Sequence, residues 1–196
     1  MRSRFAKVVL AVAAVLCVAA PASARNGMLG IFFDQYGSQC AGTIRQGGVG
    51  QMYVVFLPAG DTRDGITGVE FSIEMQDASG YNVLATQPLL LTGLGDAFAG
   101  GVNIVNGECL TNLAIPVLSI QVQNLSGGSN AKFVVRVHGN PSVKGLPCAL
   151  VTLCDAPAYT AMCVETGKAV INPTGSTTCG SNSESAEWSR IKELYR

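Results

Sequence analysis

The sequence predicts an all-β chain, an antiparallel two-sheet β-sandwich with a disulfide-rich C-terminal hairpin and a short C-terminal helix. Three observations predict it. In residues 65–75, Val69, Phe71, Ile73 and Met75 alternate strictly with Glu70, Ser72 and Glu74, the period of a strand with one face on a core and the other in water. About eight short apolar or alternating runs recur between Gly, Pro, Asn and Asp turns, and nothing before residue 180 has helical period, which is the pattern of a sandwich. Six cysteines, Cys40, Cys109, Cys148, Cys154, Cys163 and Cys179, follow an export signal, an even count that fits three disulfides made in an oxidising compartment.

The signal is residues 1–24. Arg2, Arg4 and Lys7 precede an apolar run at 8–20, and Ala22-Ser23-Ala24 supplies a cleavage pattern. The run is shorter than the roughly 20 residues a spanning helix needs, and Cys17 leaves with it. The remaining chain has 10 Lys and Arg against 13 Asp and Glu once those three cations are removed. It has no basic cluster of the kind that binds nucleic acid and no further apolar segment long enough to cross a membrane. Its length suits one domain, with a sandwich core at 25–140, a Cys-rich hairpin extension at 141–180 and an amphipathic helix at 181–196.

Residues 27–34 read as a first strand, with Met28, Leu29, Ile31, Phe32 and Phe33 around Gly30. A Gly/Ser/Gln-rich loop carrying Cys40 follows. Residues 52–57 are apolar throughout, so both faces are buried or one meets a second layer; the run is short, β-branched and aromatic, and Pro58 and Gly60 end it. Asp61 to Gly65 turns the chain into the alternating strand. Short strands are expected at 81–85 and 89–91, irregular backbone in the glycine-rich 93–101, a strand at 102–105 and a turn at Asn106-Gly107. Residues 117–123 and 132–138 both alternate and are expected to form one antiparallel hairpin across the loop at 126–130. Residues 159–164 and 169–172 are expected to form a last hairpin. Six cysteines allow fifteen pairings, among which sequence does not choose; Cys40 with Cys109 and the last four among themselves is the expectation, and a Cys163–Cys179 bridge would close the final loop. In the tail, Trp188, Ile191, Leu194 and Tyr195 fall on one helical face after capping residues at 181–183, and a helix that short needs a partner surface.

Candidate chemistry is sparse. His138, the single histidine, falls on the outward face of its strand with no Gly-x-Ser-x-Gly turn to serve it, so a solvated residue is expected. Glu70 and Glu74 are about 13 Å apart along one strand face, too wide for a glycosidase pair, and both are expected in water. Asp61 and Asp64, with Asp34, are the calcium candidates, although so few ligands make a weak site and turn formation explains them better. Zinc would need closely paired thiolates, which are missing. Asn124-Leu125-Ser126 is a glycosylation acceptor by pattern. Tyr36, Tyr53, Tyr81, Tyr159 and Trp188 could line a sugar platform but are scattered, which favours packing.

Residues 30–34 (Gly-Ile-Phe-Phe-Asp), 65–71 (Gly-Ile-Thr-Gly-Val-Glu-Phe) and the ending 188–196 (Trp-Ser-Arg-Ile-Lys-Glu-Leu-Tyr-Arg) together resemble a group of exported bacterial proteins that share a similar Trp-x-x-Ile-Lys-x-Leu-Tyr-Arg terminus. That resemblance brings no functional residues. The turn-bounded Ile-x-Gly-x-x-Phe strand is similar to cohesins and related carbohydrate-binding sandwiches, which implies binding without a catalytic centre. The expected function is therefore a non-catalytic binding or structural module, secreted, periplasmic or at the cell surface, whose partner is a glycan or a protein. The rivals are a secreted polysaccharide or peptide hydrolase, and a sandwich whose terminal helix serves in sorting or docking. No cofactor is expected beyond the calcium candidates.

Overall fold

Strand β4 (Ile66–Gln76) is the alternating segment, and it lies at the centre of one layer. The structure, a computed structural model, describes residues 26–126 and 128–177. The expected export signal at 1–24, Cys179 and the expected terminal helix with Trp188, Ile191, Leu194 and Tyr195 fall outside the described residues.

In chain order the other strands are β1 (Met28–Phe32), β2 (Ala41–Gly42), β3 (Val49–Leu57), β5 (Tyr81–Pro88), β6 (Thr92–Asp96), β7 (Gly101–Leu110), β8 (Ile115–Asn124), β9 (Ala131–Arg136), β10 (Ala149–Leu153), β11 (Ala161–Thr166) and β12 (Lys168–Ile171). A 3-10 turn, Gly60–Asp64, leads into β4. One layer runs β5-β8-β3-β1. In the other, β4 pairs with β7 and β10 along its first half and with β9 along its second, and β6 extends the layer beyond β7. Strand β1 pairs antiparallel with β3 and parallel with β11, joining the layers along one side. On the other side β5 pairs only with β8 and β6 only with β7 among the described residues.

The inward side chains of the two layers meet in one core, with Val69, Phe71 and Ile73 of β4 opposite Met52, Val54, Phe56, Ile120 and Val122. Each large apolar side chain buried this way contributes about 1.5–3 kcal/mol. The other face of β3 explains its unbroken apolar run: Val55 and Leu57 join Met28, Phe32 and Cys40 in a second small cluster, with Tyr53 packed against it. Along residues 52–57 both faces of the strand are covered.

Several expectations are corrected. Strands β8 and β9 do not pair; β8 lies between β3 and β5, and β9 between β4 and β12. Inward alternation is satisfied equally by neighbours in one sheet and by strands facing each other across a core. Strands β11 and β12 form no hairpin either: the chain continues through Gly167, with β11 beside β10 and β12 beside β9. Gly167 serves close approach, because a Cβ there would stand 3.2 Å from the Gly30 Cα. The expected Cys-rich extension at 141–180 therefore supplies strands to the layers, and β10 lies between β4 and β11. The glycine-rich stretch at 93–101 holds strand β6 and its turn to β7, and Asn106-Gly107 lies inside β7. Cys109 pairs with Cys154, and Cys148 with Cys163, which overturns the Cys40–Cys109 and Cys163–Cys179 assignments. Cys40 is disulfide-bonded.

Candidate partner-binding face

Residues directly opposite on paired strands share a face, so the pairing of β6, β7, β4 and β10 defines two outward rows. The first is Thr92, Val105, Gly68 and Thr152; the second is Leu94, Asn103, Glu70 and Leu150. Gly68 in the first row and Gly107 further along β7 leave gaps in this surface: a Cβ on Gly68 would stand 3.3 Å from Val105 Cγ1, and one on Gly107 would stand 3.3 Å from the Leu91 side chain. The result is a hollow of about 430 Å³ floored by Gly68 and Gly107 and walled by Val105, Tyr159 and the Cys109–Cys154 bridge. Around it Leu91, Leu94, Val105 and Tyr159 are exposed, Leu91 by 73% and Leu94 by 67%. Aliphatic side chains facing water on a regular sheet find no partner within the described chain.

The bridge fixes one wall. It packs on Gly65, where an added Cβ would stand 2.4 Å from Cys109 Sγ; Gly65 also has φ of +110°, a conformation other residues rarely adopt. The loop beyond Cys154 is shaped by Asp155, whose carboxylate accepts the Thr160 N–H at 2.7 Å and the Thr160 hydroxyl. Those bonds, the hydroxyl's first, hold the Asp155 carboxyl below its ordinary value. Glu108 and Asp155, next in the chain to the bridge cysteines that wall the hollow, are exposed and put acidic residues along that border.

Only half of the face is open. Along the second row Leu94 is exposed, but Glu70 is 7% and Leu150 2% exposed, because the segment 137–148 crosses them. Its attachments are the Gly139 N–H donating to the Gly100 carbonyl at 2.7 Å, the Ser142 N–H donating to Glu70 Oε1 at 2.9 Å, and the His138 ring lying against Gly101. Its end is held by Cys148–Cys163. Glu70, expected in water, is therefore buried beneath this strap. Glu74 is exposed and pairs with Arg136 at 2.6 Å, which lowers its carboxyl pKa. His138 lies just beyond β9, half-buried, its Nδ1 accepting the Asn140 N–H at 3.0 Å.

The remaining candidates are dispersed. Asp61 and Asp64 are exposed in the 3-10 turn, where the Ala59 N–H donates to Thr62 Oγ1. The Asp34 carboxylate accepts the N–H groups of Tyr36, Ser38 and Gln39 and the Ser38 hydroxyl, all at 2.6–3.1 Å, so it organises its own loop. Among the described residues no group of three or more His, Cys, Asp or Glu is arranged to hold a metal ion. Asn124 is fully buried with its Nδ2 donating to the Ile44 carbonyl at 2.8 Å; the nitrogen a glycan would need faces inward. Of the tyrosines, Tyr36 and Tyr159 are exposed, Tyr53 is half-buried and Tyr81 buried. Leu91, Leu94 and Val105 were not singled out from sequence. The available signal was Gly68, a glycine at an outward position of an otherwise regular strand.

The fold superposes on solved structures. Over 77% of this chain and 94% of its own length, the seventh type I cohesin of ScaB from Pseudobacteroides cellulosolvens superposes with a TM-score of 0.50 at 11% identity. The chain has the cohesin fold. The sixth cohesin of scaffoldin B from Acetivibrio cellulolyticus, solved in complex with a Cel5 dockerin, matches over 76% of this chain and 99% of its own with a TM-score of 0.50 at 10% identity. At such identity the likeness to cohesins is one of fold. No protein-family model matches the sequence, and neither does any curated protein.

Proposed function

We propose that this chain is an exported, non-catalytic module that binds a protein partner through the outer face of β6, β7, β4 and β10. The observation that carries the proposal is the glycine-floored hollow walled by Val105 and Tyr159, with exposed Leu91 against Gly107 and exposed Leu94 on the adjoining strand β6. A contiguous apolar patch with a polar border marks an interaction surface more often than a free one, and a hollow beside exposed aliphatic side chains suits a protruding apolar anchor. The acidic border of Glu108 and Asp155 favours a partner whose anchor is flanked by Lys or Arg. A cohesin of the same fold solved with a dockerin supports a protein partner. The aliphatic character of the patch favours protein over glycan, since a sugar platform needs aromatic faces side by side. Export is supported by the signal pattern at 1–24 and by the two disulfides, which form in oxidising compartments. The non-catalytic reading is supported by Glu70 engaged beneath the strap and Glu74 paired with Arg136.

The test is capture of exported proteins from the source cells on the immobilised chain from residue 25 onward, beside a Leu94→Lys, Val105→Lys variant, each with calcium and with chelator. One defined protein held by the natural chain and lost by the variant supports the reading. Equal retention by both moves the site elsewhere, and loss with chelator alone promotes Asp61 and Asp64 as calcium ligands.

A further inference from the structure

A second concave site lies at the opposite end of β4 from the hollow. Met75, Tyr81, Val83, Leu84, Asp96 and Phe98 border a cleft of about 460 Å³. Its two lips are strand β5 and the end of β6, the edges that no other described strand covers. Its floor opens onto the core: Met75, Val83 and Phe98 pack against the main cluster, and Phe98 meets Phe133 edge-on at 6.1 Å. The cleft thus has an apolar floor between two uncovered strand edges, with Asn82, Thr86 and Asp96 at its rim.

The chain itself leaves the sandwich beside that cleft. Ile171 pairs with Ala131, and the neighbouring Lys132 pairs with Gln76, one residue from Met75. Asn172 Nδ2 donates to the Tyr81 hydroxyl at 2.9 Å, and Thr174 is tied to Asn130 by two bonds of 2.8 and 3.0 Å. The hollow on the outer face, at Gly68, is seven residues further along β4, roughly 23 Å away. Trp188 lies fourteen positions after Thr174, a reach of up to about 46 Å when extended, so the cleft is well within range of that side chain. Glu187 precedes Trp188, and the segment that follows, 189–196, carries Arg190, Lys192 and Arg196 against Glu193, so Asp96 at the lip of the cleft is the complementary charge for the residues after the indole.

We propose that the β5/β6 cleft is the seat of the chain's own C-terminal segment, with the Trp188 indole closing the gap between the two sheet edges. This proposal is independent of the partner-binding reading, which concerns the other end of β4. It also makes the segment 188–196 an intramolecular plug of the sandwich in place of a free address.

Trp188 is the chain's single tryptophan, so intrinsic fluorescence reports its surroundings without a label. The experiment uses the chain from residue 25 to 196, the same chain with Leu84→Glu, and both in denaturant. Leu84 lines the cleft yet is 46% exposed, so the charge disturbs the seat with little cost to folding; a melting curve for each form checks this. The expected result is native emission shifted to the blue of the unfolded chain, at least threefold protection from iodide quenching, no dependence on protein concentration, and loss of shift and protection in the Leu84→Glu chain. Native emission matching the unfolded chain overturns the proposal. So does a blue shift that Leu84→Glu leaves unchanged, which places the indole elsewhere, or one that fades on dilution, which makes its seat a second molecule.

Discussion

Asn172 grips Ile44 by both halves of its amide: the Ile44 N–H donates to Oδ1 at 2.9 Å, and Nδ2 donates to the Ile44 carbonyl at 3.0 Å. The same carbonyl accepts from the buried Asn124, and Asn172 Nδ2 also reaches the Tyr81 hydroxyl and the Gly128 carbonyl. One side chain thus ties the loop before β3 to the loop before β9 and to the start of β5. Replacing it by alanine leaves the Ile44 N–H without its acceptor, and an unmade bond of this kind costs about 1–3 kcal/mol. Urea denaturation of Asn172→Ala is expected to show that loss at an unchanged m-value.

Tyr81 gives the same junction a pH dependence. Burial raises its phenol above 10, a shift that the hydrogen bond with Asn172 opposes. A raised folded value means the native state prefers the neutral phenol, so this contribution is complete below about pH 10 and is lost as the pH rises from there through the folded value. Tyr81→Phe removes the hydroxyl that donates to the Gly128 carbonyl and is expected to cost about 1 kcal/mol at neutral pH. The alkaline limb of its stability curve is expected to be shallower than that of the natural chain.

The disulfides rank by the loops they close. Cys109–Cys154 spans 45 residues and Cys148–Cys163 spans 15, for which chain entropy gives about 4 and about 3 kcal/mol. Paired serine replacements are expected to lower stability in that order, read by denaturation under non-reducing conditions. An equal or reversed ranking would mean that the strap held by Cys148–Cys163 contributes native contacts beyond loop closure.

Glu70 holds the strap. Glu70→Gln keeps an oxygen for the Ser142 N–H, and Glu70→Ala does not. Lys144 is the sole trypsin site between residues 137 and 148, so limited trypsinolysis after Lys144 is expected to accelerate about tenfold in Glu70→Ala and little in Glu70→Gln, as the loss of roughly 1.4 kcal/mol of local stability implies. Equal rates would show that the disulfide and the Gly139–Gly100 bond suffice.

What could be read from the sequence was local. Alternation in residues 65–75 placed Val69, Phe71 and Ile73 in the core, and the unbroken run at 52–57 marked a strand with both faces buried or one face on a second layer. Pairing between distant segments was not legible. Residues 117–123 and 132–138 carry one inward pattern whether they are neighbours or face each other across the core, and no spacing rule selects Cys154 for Cys109. Glu70 looked solvated because alternation reports which face a residue occupies, and the strap that covers that face is a Gly- and Pro-rich segment without periodicity. The hollow escaped notice for a related reason: its floor is made of missing side chains, and Gly107 follows Asn106 in a dipeptide that ordinarily signals a turn.

The central claim is that the open half of the β6-β7-β4-β10 face binds a protein. Its most direct test is a calorimetric titration of the purified captured partner into the natural chain and into the Leu94→Lys, Val105→Lys variant, with melting curves for both. The account expects binding weakened at least a hundredfold in the variant while the melting temperature stays within a few degrees. Undiminished affinity in a fully folded variant would contradict it.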